Sequence, residues 1–373
     1  MNPKVSIINC KTYAPTLVEE ATRKAISSLG GISAFIKPGS VVLVKPNLLI
    51  AKEPEAGVTT HPEVVRAVIR ILKDIGCRIF VGDSPSAWGN REQDVDEVHQ
   101  RTGIKRICQE ENVILVKFNK RRWHGKFPLT TWLDNCDYIV NVPKFKTHNL
   151  TVLTGAIKNL FGLVPGTFKA ELHKNHFEAD DFSGILVDIY QKAKPALTIV
   201  DGIVAMEGDG PGTAGKLRQQ GLILAGADCL AIDTVLAVIM GISPLDVPTT
   251  KEAVKRSLGV SEIDSISIIG EQLKDLNPRP FLAPSAAILT KKLPRPVVEL
   301  LKKLIKVRPY IEGENCIKCF FCVRTCPSKA IKTKKDKMVF AYAKCIACFC
   351  CQEVCPNSAI KTKKSLLAKM LGL

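Results

Sequence analysis

The stretch from Cys316 to Pro356 contains one cysteine pattern twice. It reads Cys316-Ile-Lys-Cys-Phe-Phe-Cys-Val-Arg-Thr-Cys-Pro327 and then Cys345-Ile-Ala-Cys-Phe-Cys-Cys-Gln-Glu-Val-Cys-Pro356, so each run has the spacing C-x-x-C-x-x-C-x-x-x-C-P. The two runs are offset by 29 residues, and each is followed two residues later by the same segment, Ala-Ile-Lys-Thr-Lys-Lys. This end of the chain is therefore predicted to form a small unit with two equivalent halves.

The doubled spacing resembles that of the bacterial two-cluster ferredoxins, in which three thiolates of one run hold one [4Fe–4S] cluster and the fourth reaches the other cluster. The resemblance implies two [4Fe–4S] clusters. One would be held by Cys316, Cys319, Cys322 and Cys355, and the other by Cys345, Cys348, Cys351 and Cys326. Zinc is the alternative, but eight cysteines in this order, with a proline after each run, do not match the usual zinc spacings. Cys350 is out of pattern and is predicted to be a buried free thiol.

Composition places these cysteines in a large protein of a reducing compartment. The chain has 373 residues, of which 46% are hydrophobic, and 14 cysteines. This size allows two or three domain-sized units. The N-terminus has no apolar signal region, so we expect a cytoplasmic protein, of an anaerobic organism, with free thiols. The longest apolar stretch, Leu222 to Met240, contains two aspartates and is not expected to span a membrane.

The positive charge is concentrated at the cysteine-rich end. The net charge is +17, and from Lys291 onward there are 19 basic residues against 5 acidic ones. We expect these lysines to offset the negative charge of the clusters and to attract an acidic redox protein. Nucleic-acid binding is the alternative explanation for this positive charge, and it is disfavoured because no basic segment is interleaved with aromatic residues.

The chain before the cysteines alternates strand and helix patterns. Apolar runs predict strands, and a capping box of Thr60 and Glu63 predicts the start of a helix that ends near Gly76. The strands are predicted at 41–44, 78–83, 113–118, 138–142, 197–201, 222–225 and 266–269. Such alternation is typical of an α/β fold with a mainly parallel sheet and flanking helices. We therefore predict an α/β ligand-binding domain over residues 1–285, a basic linker helix within 286–310 and a small α+β ferredoxin domain over 311–373.

Polar residues and glycines follow several of the predicted strands. Because ligands bind beyond the carboxyl ends of parallel strands, we expect these residues to converge on one site for an anionic small molecule. The candidate catalytic residues are Asp83, Lys144, His148 and Lys158, and the candidate binding residues are Lys45, Asn47, Lys146 and Asp201. His148 is a candidate general acid or base, a metal ligand or a structural imidazole.

Two further groups have less specific patterns. Asp233 lies in an apolar run and is predicted to be buried, either as a hydrogen-bond acceptor that fixes a helix or as a site residue. His173 and His176 have a spacing that could bind metal on a helix, but we predict that they lie in a surface loop.

Several of these segments together resemble the family called domain of unknown function 362. They are Val44-Lys-Pro-Asn47, Gly82-Asp-Ser84, Pro143-Lys-Phe-Lys-Thr-His148, Thr154-Gly-Ala-Ile-Lys-Asn-Leu-Phe-Gly162, Val200-Asp-Gly202 and Met206-Glu-Gly-Asp-Gly-Pro211. Members are often fused to a two-cluster ferredoxin module and are described as iron–sulfur proteins. The resemblance implies this architecture and leaves the substrate open.

A fainter resemblance is to the nickel-pincer lactate racemases. In that family a metal-binding histidine precedes, by ten residues, a lysine that carries the pincer cofactor. His148 and Lys158 have this separation, but Gly155-Ala-Ile157 replaces the family's two glycines and arginine before the lysine. The resemblance suggests a related fold and places His148 and Lys158 at a substrate site.

The sequence therefore supports three functional hypotheses. The first is an iron–sulfur oxidoreductase that passes single electrons to an anionic small molecule at the rim of the α/β domain. The second is a non-catalytic electron-transfer or redox-assembly subunit. The third is a racemase-like or metal-dependent enzyme that uses its clusters structurally.

Overall fold

A computed structural model describes residues 2–85, 92–276, 279–285, 307–335 and 337–365. Sixteen strands are present in these ranges. They are β1 (Lys4–Asn9), β2 (Val41–Pro46), β3 (Arg78–Gly82), β4 (Ile114–Val116), β5 (Arg121–His124), β6 (Phe127–Thr130), β7 (Tyr138–Val142), β8 (Lys144–His148), β9 (Val152–Thr154), β10 (Leu197–Gly208), β11 (Gly215–Gly226), β12 (Ser267–Gly270), β13 (Val307–Ile311), β14 (Ile331–Lys334), β15 (Lys337–Phe340) and β16 (Ile360–Lys364).

The same ranges contain twelve α-helices. They are α1 (Pro15–Ser27), α2 (Pro62–Asp74), α3 (Glu92–Arg101), α4 (Ile104–Glu110), α5 (Trp132–Asn135), α6 (Ala156–Asn159), α7 (Phe168–Asn175), α8 (Ala179–Ala193), α9 (Cys229–Ile239), α10 (Pro248–Lys255), α11 (Phe321–Thr325) and α12 (Cys350–Glu353). Among the described residues, no helix has the length and apolar character needed to cross a membrane.

A ten-stranded sheet forms the centre of the large domain. Eight of its strands lie in the order β12-β1-β11-β10-β7-β2-β3-β4, and β8 pairs with β10 and β9. The pairings of β10, β7, β2, β3 and β4 are parallel, whereas β11 is antiparallel to both of its neighbours. The expected α/β class with a mainly parallel sheet is confirmed.

Helices cover both faces of this sheet. One apolar core contains residues of α1, α2 and α4, and the other contains residues of α6, α8 and α9. The strand β2 is buried along almost its whole length, as expected for a central strand covered on both sides. Because β2, β3, β7 and β10 pair in parallel, their carboxyl ends lie at the same edge of the sheet.

The start of α2 differs from the prediction. The N-cap residue is His61, whose side chain accepts a hydrogen bond from the Glu63 N–H. Thr60 Oγ1 instead accepts from Asn47 N at 2.8 Å and donates to the Val142 carbonyl at 2.6 Å. The predicted capping box is wrong because this threonine links two strand ends rather than capping the helix.

The cysteine-rich end folds as a small unit of two equivalent halves. The strand β13 pairs with β16, and β14 forms a hairpin with β15. Three pairs of residues with left-handed backbone are each separated by 29 residues: Lys318 with Ala347, Phe320 with Phe349, and Lys329 with Ser358. The sequence repeat is therefore also a repeat of backbone conformation.

The basic linker helix predicted within 286–310 lies outside the described residues as far as residue 306. Its remaining residues, from 307 to 310, belong to β13 and are therefore not helical. The predicted domain boundaries at 285 and 311 stay predictions.

Candidate functional site at the junction of the two domains

The eight predicted cluster cysteines form two groups. Cys316, Cys319, Cys322 and Cys355 line one cavity of about 20 Å³. In the second group, burial raises the pKa of the Cys345 thiol, and the nearby sulfurs of Cys348 and Cys326 raise it further. The pKa of Cys351 is raised by burial and by the nearby sulfurs of Cys348, Cys345 and Cys326, and also by Cys322 of the first group. In each group, the fourth cysteine of one run lies with the first three cysteines of the other.

The backbone around both groups suits a [4Fe–4S] cluster. The Ala330 N–H donates to Cys326 Sγ at 3.1 Å, and the Ala359 N–H donates to Cys355 Sγ at 3.2 Å. Such N–H···S bonds stabilise negative charge on cluster thiolates. Left-handed conformations at non-glycine residues cost about 1 kcal/mol or more each, and their repetition in both loops is typical of a functional constraint. The soft sulfur ligands and these loops fit the cluster chemistry expected from the spacing.

The ferredoxin unit is fastened to the large domain by polar contacts. His148 Nε2 lies 3.2 Å from Glu353 Oε1, and Asn149 Nδ2 donates to Gln352 Oε1 at 2.6 Å. Thr213 Oγ1 donates to the Cys355 carbonyl at 2.6 Å. These contacts tie the end of β8 and the segment after β10 to α12 and to the fourth cysteine of the second run.

The close approach of the two domains requires a glycine at position 212. A Cβ atom on Gly212 would lie 2.6 Å from the Glu353 carbonyl oxygen, which is backbone and cannot swing away. Any larger residue would therefore push α12 from the large domain.

A cavity of about 70 Å³ lies between the two domains, and we call it the junction cavity. The large domain contributes Asn47, Leu48, Leu49, Asp83, Ser84, Lys158, Asn159, Phe161, Gly162, Lys169 and His173, and the ferredoxin unit contributes Thr325, Cys350, Glu353 and Val354. Thr325 and Cys350 are adjacent in sequence to Cys326 and Cys351, which belong to the second cysteine group. The cavity therefore lies beside the second group.

The ends of β2 and β3 contribute a buried ion pair to the wall of this cavity. Lys45 Nζ lies 2.8 Å from Asp83 Oδ1, and both side chains are buried. Burial lowers the pKa of Lys45, and Asp83 opposes this shift. A Cβ atom on Gly162 would lie 1.9 Å from Asp83 Oδ1, so only glycine fits here without displacing the pair. Asp83 also accepts a hydrogen bond from Leu48 N at 2.7 Å.

A second buried ion pair lies behind the cavity and does not line it. Lys144 Nζ lies 2.8 Å from Asp201 Oδ2 and donates to the Tyr13 hydroxyl at 2.7 Å. The Tyr13 hydroxyl in turn donates to Asp201 Oδ1 at 2.8 Å. Lys146 Nζ donates to the Val58 carbonyl at 2.5 Å, and its pKa is lowered by burial and by Lys158.

Lys158 extends from α6 into the junction cavity. The first turn of this helix is fixed by Asp233, whose carboxylate accepts from Ala156 N at 2.5 Å and from Ile157 N at 3.1 Å. Burial lowers the pKa of Lys158, and the nearby Glu353 opposes this shift. Of the two readings for Asp233, the structure shows the helix-fixing acceptor, and burial raises the pKa of its carboxyl to about 7.

Lys169 and His173 line the cavity and are absent from the set of candidates drawn from the sequence. Both lie on α7, so the expected surface loop around His173 is wrong. Lys169 Nζ donates to the carbonyls of Ser84 and Pro85, and burial lowers its pKa to about 7. His173 is buried against Phe161 and Phe182, and burial lowers its pKa to about 3. Their helix is short and polar, so neither periodicity nor spacing marks it as buried.

Several polar atoms at the cavity have neither a hydrogen-bond partner nor an ion-pair partner within the described ranges. They are Asn47 Oδ1, His173 Nδ1 and Thr325 Oγ1. Leaving a buried polar atom unpaired costs about 1–3 kcal/mol. Three such atoms around one cavity are the arrangement expected where a polar ligand binds.

The structure thus divides the candidate residues into three sets. Asn47, Asp83 and Lys158 line the junction cavity. Lys45 and His148 do not line the cavity, but each is paired with a residue that does, Asp83 and Glu353 respectively. Within the described part of the chain, Lys144, Lys146 and Asp201 neither line the cavity nor pair with a lining residue. His176, the other histidine considered, pairs with Asp181 at the surface.

The geometry defines an α/β domain that shares a charged cavity with an iron–sulfur unit, and comparison with known proteins assigns its family. Residues 42–238 match the family described as Domain of unknown function (DUF362), and residues 308–356 match the 4Fe-4S dicluster domain. Because the first match covers more than half of the chain, the protein belongs to the DUF362 family, as the resemblance of its motifs implied. The dicluster match supports 4Fe–4S cluster binding by the ferredoxin unit and a redox or electron-transfer role for the protein.

One relative and one solved structure are also similar. The chain is 34% identical over 268 residues to "Thylakoid-associated protein sll1697" of Synechocystis sp.. The aligned region covers 70% of this chain and 81% of the relative. The lactate racemase apoprotein from Thermoanaerobacterium thermosaccharolyticum aligns with a TM-score of 0.37 and 11% identity, over 61% of this chain and 54% of that protein. The chain thus spans about half the length of the racemase, and a likeness at this level assigns no shared activity.

Proposed function

We propose that this protein is an iron–sulfur oxidoreductase that transfers single electrons, through two [4Fe–4S] clusters, to an anionic small molecule in the junction cavity. The observation that carries the proposal is the lining of this cavity. Lys158 and Lys169 lie on one side, and Thr325 and Cys350, each next to a predicted ligand of the second cluster, lie on the other. A molecule in the cavity is therefore adjacent to that cluster.

The balance of buried charge favours an anionic substrate. Five lysines are enclosed at this end of the sheet, against the three acidic residues Asp83, Asp201 and Glu353. Two of the lysines are paired with aspartates, and Lys146 and Lys169 donate to backbone carbonyls. Burying an unpaired cation is costly, and a carboxylate or phosphate in the cavity would offset that cost.

The residues of the cavity have separable roles in this proposal. Lys158 binds the anionic group, and the Lys45–Asp83 pair fixes the opposite wall. Lys169, with a pKa of about 7, can exchange a proton with the substrate near neutral pH when an electron arrives. His148 does not line the cavity, and it acts as a positioning residue through Glu353. Bound clusters would supply the single electrons.

Reoxidation of the reduced protein tests this function. The holoprotein is reduced anaerobically with dithionite, freed of excess reductant and mixed with a panel of small carboxylates and phosphate esters while the visible absorbance of the clusters is followed. We expect at least one compound to reoxidise the clusters, and Lys158→Met to slow this reaction at least tenfold. Lys24→Met, a change on the exposed surface of α1, is the control.

The contrary result would favour the rival function. If no small anion reoxidises the clusters faster than buffer, while a second redox protein does, the chain is an electron-transfer subunit without a substrate of its own.

We also propose that the protein works in the reducing environment of the cytoplasm of an anaerobe. The support is the set of cluster-forming cysteines together with several other thiols, all of which are free. Fractionation of cells grown without oxygen, followed by immunodetection, tests the compartment. A membrane-bound pool would contradict it and would agree with the description of the Synechocystis relative as thylakoid-associated.

A further inference from the structure

The loop around the first cysteine group is more exposed than the corresponding loop around the second. Ile317 and Phe320, which line the cavity of the first group, are 60% and 37% exposed, whereas Phe349, the counterpart of Phe320 in the second half, is 4% exposed. The cysteines themselves do not differ in this way, because two of them are buried in each group. The second group lies beside the junction cavity. Electrons that enter the protein from outside would therefore reach the first cluster before the second.

A lysine-rich hairpin borders this exposed cavity. Met338 of β15 lines the cavity, and the neighbouring Val339, which is 47% exposed, points to the opposite side of the strand. Val339 lies opposite Lys332, and Lys334 lies opposite Lys337. Because directly opposed residues share a face, the outer side of the hairpin presents three lysines around one valine.

This arrangement is unfavourable for the isolated fold. Like charges directly opposite each other in a hairpin are destabilising, yet Lys334 and Lys337 occupy one such pair. From Lys332 to Lys337 the sequence contains four lysines and one aspartate. Exposed apolar residues beside a patch of one charge are typical of a protein-docking surface.

We propose that the outer side of this hairpin, formed by Lys332, Lys334, Lys337 and Val339, is a docking face for an acidic protein electron carrier, while Met338 on its inner side lines the cavity of the first cysteine group. The inference rests on the proposed function, since it assigns the entry point of the electrons. One electron leaves the reduced centre of the carrier, which is oxidised, and reduces the first cluster by one electron. No covalent bond forms or breaks. The lysines steer the acidic carrier, and Val339 excludes water at the contact.

The test measures electron transfer from a small acidic ferredoxin, reduced beforehand, to the anaerobic holoprotein. In the wild type we expect a rate constant that falls as the salt concentration rises. The double variant Lys332→Glu/Lys334→Glu should be reduced at least tenfold more slowly at low salt. Calorimetric titration with the oxidised ferredoxin should show a matching loss of affinity, which is a readout independent of turnover.

Matched controls separate docking from general effects. The double variant Lys24→Glu/Lys105→Glu changes the same charge on exposed helices of the large domain and should behave as wild type. Reduction by dithionite should be unchanged in both variants. If the charge reversal lowers the iron content, the neutral variant Lys332→Gln/Lys334→Gln replaces it. Its reduction by the ferredoxin at low salt should also be slower than that of the wild type, by a smaller factor.

Two outcomes would overturn the proposal. The first is a wild-type rate of ferredoxin oxidation in the hairpin variant, with no dependence on salt. The second is unchanged electron transfer with lost binding to vesicles that contain anionic phospholipid, because the face would then contact a membrane. Dithionite bypasses the carrier, so reoxidation by a small anion can fail or succeed independently of this result.

Discussion

His148 Nε2 lies 3.2 Å from Glu353 Oε1, and this contact joins a strand end of the large domain to the ferredoxin unit. The His148 Nδ1 atom accepts from Leu150 N at 3.0 Å and from Thr151 N at 3.3 Å. Since Nδ1 accepts, the proton of the neutral ring is on Nε2, which faces the carboxylate. Burial lowers the pKa of His148 to about 4, so the ring is neutral at pH 7. A neutral histidine thus orients the carboxylate that closes one wall of the junction cavity.

Removing this imidazole should loosen the junction. We expect His148→Ala to lower the free energy of unfolding by about 1–3 kcal/mol, because it removes the buried ring that faces the Glu353 carboxylate and leaves that carboxylate without this contact. Denaturant unfolding of the holoprotein under anaerobic conditions measures the change. His176→Ala removes a histidine–aspartate contact at the surface and should cost less than about 0.5 kcal/mol. Equal effects of the two substitutions would argue against an energetic role for the junction contact.

The two cysteine groups predict two metal centres. Iron and acid-labile sulfide should each approach eight per chain after anaerobic reconstitution, since each [4Fe–4S] cluster contains about four of each. Chemical analysis combined with the visible charge-transfer absorption checks this count. About two zinc ions per chain, with no visible absorption, would contradict it.

In the proposed ligand sets, the fourth cysteine of each run binds the cluster held by the other run, and this predicts which cluster a substitution affects. Cys326→Ala should perturb the cluster held by Cys345, Cys348 and Cys351 and leave the spectrum of the other cluster native. Electron paramagnetic resonance of the partly reduced protein distinguishes the two centres. Cys350→Ala is the control, because this cysteine is next to a ligand and outside the pattern, and it should leave both clusters assembled. Damage to the first cluster in Cys326→Ala would refute the exchange.

Anion binding in the junction cavity should weaken as pH rises. The pKa of Lys169 is about 7, lowered by burial, so its charge is present below pH 7 and lost above it. The other charged groups that act on Lys169 are Asp83, Lys45, Lys158 and Glu353. We expect the affinity for sulfate, whose charge is constant in this range, to fall by about tenfold or less between pH 6 and 8.

The variant Lys169→Met identifies the source of this dependence. It should bind sulfate weakly and with a flatter pH profile, as measured by calorimetric titration. A variant with the full wild-type pH dependence would assign the titration to another group.

Parts of the fold with local signals could be predicted from the sequence. The strand predicted at 138–142 has the same bounds in the structure, because an apolar run between polar segments is sufficient to mark a buried strand. The grouping of the cysteines is what the resemblance of the doubled spacing to that of the two-cluster ferredoxins implies. Thr60 shows the limit of this approach, since the partner that competes for its hydroxyl is the carbonyl of Val142, 82 residues away.

The cavity itself depends on packing between distant segments. Predicted strand ends place Asn47 and Asp83 at the same edge of the sheet, and the His148–Lys158 separation adds Lys158, but neither signal indicates that Glu353 and Cys350 close the site from the other side. Lys169 and His173 were missed because a short polar helix reads as surface. Burial of this helix results from contacts with other segments, through the Ser84 and Pro85 carbonyls for Lys169 and through Phe161 and Phe182 for His173, and no local pattern predicts such contacts.

Glu353 lies between Cys351 and Cys355, which belong to different cysteine groups. With two clusters bound as proposed, the segment 351–355, which includes most of the helix that closes the junction cavity, would be held by metal at both ends, once from each cluster. In a chain that has received only one cluster, one end of this segment would not be held, and the wall of the junction cavity would not be fixed. Substrate chemistry would then start only in fully matured molecules, so the supply of iron and sulfide in the cell would determine how many chains are competent.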